Sequence, residues 1–313
     1  MYAYLLRRIL ATIPVMLVVA LFVFALLHLS PGDPAAVIAG EAASPADIAR
    51  IRHSLGLDNP LHVQLGIWLL HVVHGDLGTS IHSGVPVLTL IGQRLEPTLA
   101  LSATTMGLAV LLAVPLGIVA AWKVGTWIDR LVMVVAILGF SLPVFWLGFL
   151  FIYGFAIQLQ LLPVQGYSSI TQGFLPFARH IILPSLTLGM VYMALITRMT
   201  RASMLEVLRE DYIRTAHAKG LKPRVVLLLH GLKNASLPII TIIGVGVALL
   251  IGGVAVTESV FAIPGLGRLT VDAILHRDYP VIQGIILVFS GVYVGINVLV
   301  DLAYTCLDPR IRY

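Results

Sequence analysis

The chain of 313 residues is 58% apolar and only 11% charged, where a soluble domain carries about a quarter of its residues charged. That balance excludes a soluble globular domain and predicts an all-α, polytopic membrane protein. The net charge of +5 would suggest nucleic acid in a soluble chain, but retention of positive charge in cytoplasmic segments accounts for it here. One cysteine, Cys306, excludes an internal disulfide and is too few for a cysteine zinc site.

Arg7 and Arg8 precede an apolar run that ends at Leu29. It is longer than the roughly 7–15 residues of a signal peptide's apolar region, and no small-x-small cleavage site follows, so it reads as an uncleaved first span. Six apolar runs, near 9–29, 98–122, 131–158, 181–200, 237–257 and 281–305, are long enough to cross about 30 Å of hydrocarbon. With the N-terminus inside, the short inner segments collect Arg7, Arg8, Lys123, Arg130, the cations of the central loop, Arg310 and Arg312. The short outer loops hold only Arg179, Arg268 and Arg277, so both termini are expected inside.

The outer loop 30–96 is too long for a turn and too polar to span. Ser44 and Pro45 predict a helix start, Gln64–Val73 a second helix with Trp68 suited to the interface, and Gly75, Gly78 and Gly84 a break. A further outer loop is expected over 160–180 and another over 258–280, with a turn at Pro264-Gly265. Pro115, Pro143 and Pro184 are expected to bend the second, third and fourth spans. Ala248 and Gly252, and Gly291 and Gly295, form small-xxx-small faces for close helix approach.

The stretch from Arg198 to Pro238 carries eight Lys or Arg residues, namely Arg198, Arg201, Arg209, Arg214, Lys219, Lys222, Arg224 and Lys233. Leu205, Leu208, Tyr212 and Ala216 predict one apolar helix face, and Glu210 with Arg214 an ion pair. Gly220 suits a left-handed helix end and Pro223 the first position of the next helix. A helix, a glycine turn and a second helix are therefore expected on the cytoplasmic side, below the membrane.

No Gly-Lys dipeptide occurs, so no phosphate-binding loop for ATP is present; HExxH and GxSxG are absent as well. No catalytic residue is assigned, and no enzyme activity is expected of the chain alone. His71 and His74, three apart on a helix with Asp76 nearby, form the one spacing suited to a metal. Weighed against a structural reading, it is not assigned as a metal site. Asp301, near the inner end of the last span, is an intramembrane charge whose structural reading is a pair with Arg198 or Arg201. For Glu258 a gate or packing role is preferred to proton coupling.

The run DYIRTAHAKG followed by HGLKNASLP resembles the cytoplasmic coupling loop of ABC-importer permeases, in particular the first permease of the dipeptide/oligopeptide uptake systems. The general motif is EAA, three residues, Gly, nine residues, I-x-L-P. With Gly220 aligned, Arg214, Thr215 and Ala216 stand at the EAA positions and His230, Leu232 and Lys233 at the later ones, so the Glu and the Pro are missing. SPGDP, LGLDNPL, HGDLGTS, TESVFAIPGLGR and DPRIRY extend the resemblance from residue 30 to the end. It implies a type I importer permease fold in a bacterial inner membrane, as one transmembrane domain over 1–313 with an outer cap at 30–96 and a coupling loop at 201–236. It implies a second permease subunit, two ATPase subunits that hold ATP and Mg, an extracytoplasmic peptide-binding protein, and no cofactor on this chain. The ATPase-coupling residues would be Tyr212, Arg214, Thr215, Ala216, Lys219, Gly220 and Leu221. The outer gate or interface would comprise Glu258, Phe261, Pro264, Gly265 and Gly267. Glutathione, nickel complexes and haem are alternative cargoes of such permeases. An ion-coupled secondary transporter would instead show repeated broken helices with midplane ligands, which the sequence lacks.

Overall fold

The computed structural model describes residues 2–29, 35–36, 44–54 and 56–307. DPRIRY, SPGDP and the side chain of Cys306 lie outside the described residues. Two compact units are defined, Met1–Leu95 with Leu269–Gly295, and Glu96–Arg268 with Ile296–Arg312.

The first unit begins with α1, Tyr2–Leu29, followed by α2, Pro45–Ser54, and α3, Leu61–Val73. α2 starts at Pro45, as the Ser-Pro pair predicts, and the Ser44 carbonyl accepts from the Ile48 N–H at 3.1 Å. Trp68, Leu69 and Val72 of α3 pack with Leu77 on a small core of Ala20, Val23 and Leu287. Gly75, Gly78 and Gly84 all adopt positive φ and turn the chain toward α4, Val87–Trp122. Asp278 is buried and accepts from Ser80 Oγ at 2.5 Å and from the Ile81 N–H at 3.2 Å, which pins this turn.

The second unit holds most of α4 and then α5, Trp127–Ser141, and α6, Val144–Phe151, which runs into a π-helical turn, Ile152–Gln158. Pro143 lies between them, and the pair is bent by 108°. The expected bend is thus a break, because proline removes a donor and the preceding Leu142 is extended. Pro115 and Pro184 instead lie inside helices that continue past them. The chain proceeds through α7, Phe174–Val207; α8, Asp211–Ala218; α9, Pro223–Val225; and α10, Lys233–Val260. The last helices are α11, Leu266–Leu275, and α12, Tyr279–Leu307. The core of this unit joins α4, α7 and α10 through Leu101, Ala109, Leu183, Tyr192, Ile196, Leu250 and Val254.

The apolar runs of the sequence lie on helix, except for the break at Leu142 and Pro143 in the third. Among the described residues four helices are long and apolar enough to cross a membrane, or five if the bent pair is one span. α1 carries a shorter apolar stretch, Leu10–Leu26. The loop expected over 160–180 ends early, because α7 already begins at Phe174. Of the two small-residue pairs, the surroundings of Gly252 lie outside the described residues, and close helix approach does not fall at Gly291 and Gly295. A Cβ at Gly291 or Gly295 would meet nothing within 4 Å, whereas one at Gly117 would lie 2.6 Å from Thr200 and one at Gly244 2.5 Å from Val300.

Candidate functional site

Between α7 and α10 the basic stretch folds as a helix, a turn and a second helix. α7 stops at Val207, three residues follow without helix, and α8 restarts at Asp211. Gly220 has φ of +75°, so the Leu221 N–H turns back to the Ala216 carbonyl at 3.3 Å. This is the left-handed closure that glycine permits without a Cβ penalty. Lys222 is extended and Pro223 takes the first helical position, where its missing N–H leaves nothing unsatisfied. The chain then enters a π-helical turn, Val226–Leu232, and continues as α10.

Ile213, Ala216 and Val226 are buried together beneath Leu208. Leu227 joins Met204, Ala235 and Ile239 in the adjoining core, which fixes the loop to the ends of α7 and α10. Tyr212 stands outside this seam, with its hydroxyl near Asn234; burial pushes its phenol up, Glu210 adds to the rise and the Asn234 hydrogen bond opposes it. The predicted face of Leu205, Leu208, Tyr212 and Ala216 is therefore corrected. The break at 208–210 resets the helical phase, so Ile213 replaces Tyr212 inside. Arg214 pairs with Asp211 at 3.1 Å rather than with Glu210. Arg214, Thr215, Lys219, Gly220 and Leu221 are exposed, while Ala216 is in the seam.

A second constellation closes around Glu258, which is fully buried in the last turn of α10. Its Oε1 accepts from Thr98 Oγ1 at 2.6 Å and its Oε2 from the Arg268 N–H at 2.9 Å. Thr98 Oγ1 in turn accepts from the Leu266 N–H at 2.8 Å. Phe261 is buried, and its carbonyl receives the Gly166 N–H at 2.9 Å. A Cβ at Gly265 would overlap the Glu258 carboxylate, and one at Gly267 would lie 2.6 Å from Ala255 Cα. Pro264 is the exposed member of the group. Nearby, Glu96 accepts from Tyr167 at 2.6 Å and from Ser169 at 3.2 Å. Burial, then Glu96, raises the Tyr167 phenol above its ordinary value. Thr98, Glu96 and Gly166 carry no sequence signal, because they meet their partners across 71 to 168 residues of chain.

A third feature was not legible either. Arg201 donates to both carboxylate oxygens of Asp129, at 2.6 and 2.8 Å, and Asp129 also accepts from the Gly125 N–H. Arg201, one of the two arginines expected as partners of Asp301, is therefore committed to another carboxylate. At the spacing suited to a metal, His71 Nδ1 meets Asp76 at 2.9 Å, whereas His74 Nδ1 donates to the Leu70 carbonyl. Among the described residues no cluster of three or more His, Cys, Asp or Glu suited to a metal occurs.

These features define a helical, multi-span membrane protein with a basic helix-turn-helix carried between two spanning helices. The chain belongs to the family described as "Binding-protein-dependent transport system inner membrane component", which matches residues 113–313, and the family's N-terminal membrane component matches residues 1–102. It is thus a multi-pass inner-membrane subunit of a transport system that works with a binding protein. A probable peptide ABC transporter permease protein of Sinorhizobium fredii is 55% identical over the full length of both chains. A glutathione transport system permease protein of Salmonella typhimurium is 47% identical, and a dipeptide transport system permease protein of Alkalihalophilus pseudofirmus is 43% identical, each again over all of both chains. Among solved structures, the MetNI methionine ABC transporter in an inward-facing conformation aligns with a TM-score of 0.58 at 17% identity, covering 71% of this chain and 97% of that one. That likeness concerns the fold.

Proposed function

We propose that this chain is one of two membrane subunits of an ATP-driven peptide importer, forming half of the translocation pathway. The observation that carries the reading is the helix-turn-helix at Gly220. Its exposed edge of Arg214, Thr215, Lys219 and Leu221 stands on a buried seam rooted in α7 and α10. An exposed edge on a rigid base transmits force from a docked partner to both spanning helices. The partner is an ATPase subunit whose cleft receives α8, and ATP and Mg bind there, since this chain has no phosphate-binding loop. ATP-driven closure favours one of two arrangements of the spans. The remaining assignments are six spans with both termini inside, a second permease subunit, and an outer peptide-binding protein.

Peptide is preferred as cargo because the relatives named for peptide transport reach 55% identity. Glutathione, itself a tripeptide, is the second reading, favoured by the 47% identical glutathione permeases. In the assembled transporter, Gly220→Val should preserve membrane insertion and reduce ATP-dependent uptake of labelled dipeptide. A β-branched residue at a left-handed position is disfavoured by more than about 1 kcal/mol and misaims α8. Unchanged uptake at equal expression would remove this loop from the coupling route. Uptake of glutathione without dipeptide would select the second reading.

A further inference from the structure

α3 is as free of charge as a spanning helix: between Leu61 and Val73 there is no Asp, Glu, Lys or Arg. Its 13 residues make about 20 Å of helix, against about 30 Å of hydrocarbon, so it cannot cross. Apolar helices of this length are usually core helices, but none of its residues is buried. Its sides have different surroundings. Trp68, Leu69 and Val72 pack on the core with Ala20 and Val23, while Gln64 and His71 turn their polar groups to His28 and Asp76. The remaining side carries Val63, Ile67, Leu70 and Val73, spaced by four and three residues, with Leu70 at 59% and Val73 at 81% exposure.

The depth of this side follows from the pairing with α1. His28 meets Gln64 at 3.1 Å, and the rings of Phe24 and Trp68 lie 5.8 Å apart. Four residues back along α1 correspond to four residues forward along α3, so α3 runs antiparallel, returning alongside α1 from its C-terminal end. Phe24 belongs to the apolar stretch Leu10–Leu26, so Trp68 is level with membrane-embedded chain. Val18 and Phe22 of the same stretch, exposed by 64% and 61%, add apolar surface on the side of α1 away from Phe24.

We infer that α3 is a half-depth helix embedded in lipid beside α1, with its Val63, Ile67, Leu70 and Val73 side against acyl chains. The leaflet is the one that holds the C-terminal end of α1. An apolar strip level with a membrane-embedded stretch is solvated by hydrocarbon, and the polar atoms beside it are satisfied within the protein, Gln64 by His28, His71 by Asp76 and His74 by the Leu70 carbonyl. The inference rests on family membership and the α1 pairing, not on the cargo or direction of transport.

The test uses the assembled transporter in lipid nanodiscs, with Cys306→Ser and a spin label on Val63→Cys or Leu70→Cys. A label on His53→Cys, whose side chain is 88% exposed, serves as the aqueous reference. Collision with oxygen should exceed collision with a water-soluble nickel chelate several-fold at both α3 sites, the reverse of the reference. Nickel-dominated collision would place α3 in water and overturn the inference. Low collision with both would mean that a protein partner covers the strip, which overturns it equally. Val63→Cys and Leu70→Cys replace exposed side chains, so the fold is retained, and ATPase activity of each labelled complex verifies assembly.

Discussion

At the scale of single residues, the TESVFAIPGLGR segment is held by one buried carboxylate and one missing side chain. Gly265 leaves the volume that Glu258 occupies, so Gly265→Ala overpacks the site and should destabilise the protein by about 1–3 kcal/mol. The apparent Tm of the purified complex should fall. Adding Glu258→Asp, which withdraws the carboxylate by one methylene, should lower stability less than the two single changes together. Strict additivity would show that the two residues do not share the volume. The sequence names both residues through the family signature, yet it carries no sign of Thr98, whose hydroxyl completes the site from 160 residues away. Gly220 is the opposite case. A left-handed turn is decided by a glycine and its neighbours, so it is readable in a few residues.

At the scale of elements, the same contrast recurs. The helices of the central loop follow from their own residues, including the start at Pro223, but the phase of α8 does not. The break at 208–210 is set by the packing of Leu208, Ile213 and Val226, and a continuous periodicity therefore places Tyr212 inside wrongly. The π-helical turns likewise arise from packing, as at Gly231, where a Cβ would stand 3.0 Å from the Met204 methyl. The Asp129–Arg201 pair joins the first turn of α5 to α7 at the base of this loop. Asp129→Ala leaves a guanidinium that is only 25% exposed without its carboxylate and should destabilise by about 3 kcal/mol. The exchange Asp129→Arg with Arg201→Asp should recover part of that loss in apparent Tm. No recovery would mean that the Gly125 N–H, rather than the charge pair, is the main partner of Asp129.

At the scale of the whole molecule, cationic asymmetry predicts the orientation. With Cys306→Ser, a cysteine at Ala46 should react with an impermeant thiol reagent from outside intact cells, and one at Lys219 should react only after permeabilisation. The reverse pattern would invert the topology. Span number is hard to read from composition, because a broken pair such as α5 and α6 has the composition of a single span and a 108° bend. The run from Pro223 to Val260 has a mechanical consequence. It is helical throughout, on the order of 55 Å long, with the basic turn at one end and Glu258 in its last turn at the other. Between its irregularities the helix is stiff, so a push at Lys222 travels toward Glu258 as tilt or axial rotation. The π turn at Val226–Leu232 and Pro238 are its two compliant joints, where twist is absorbed before it arrives.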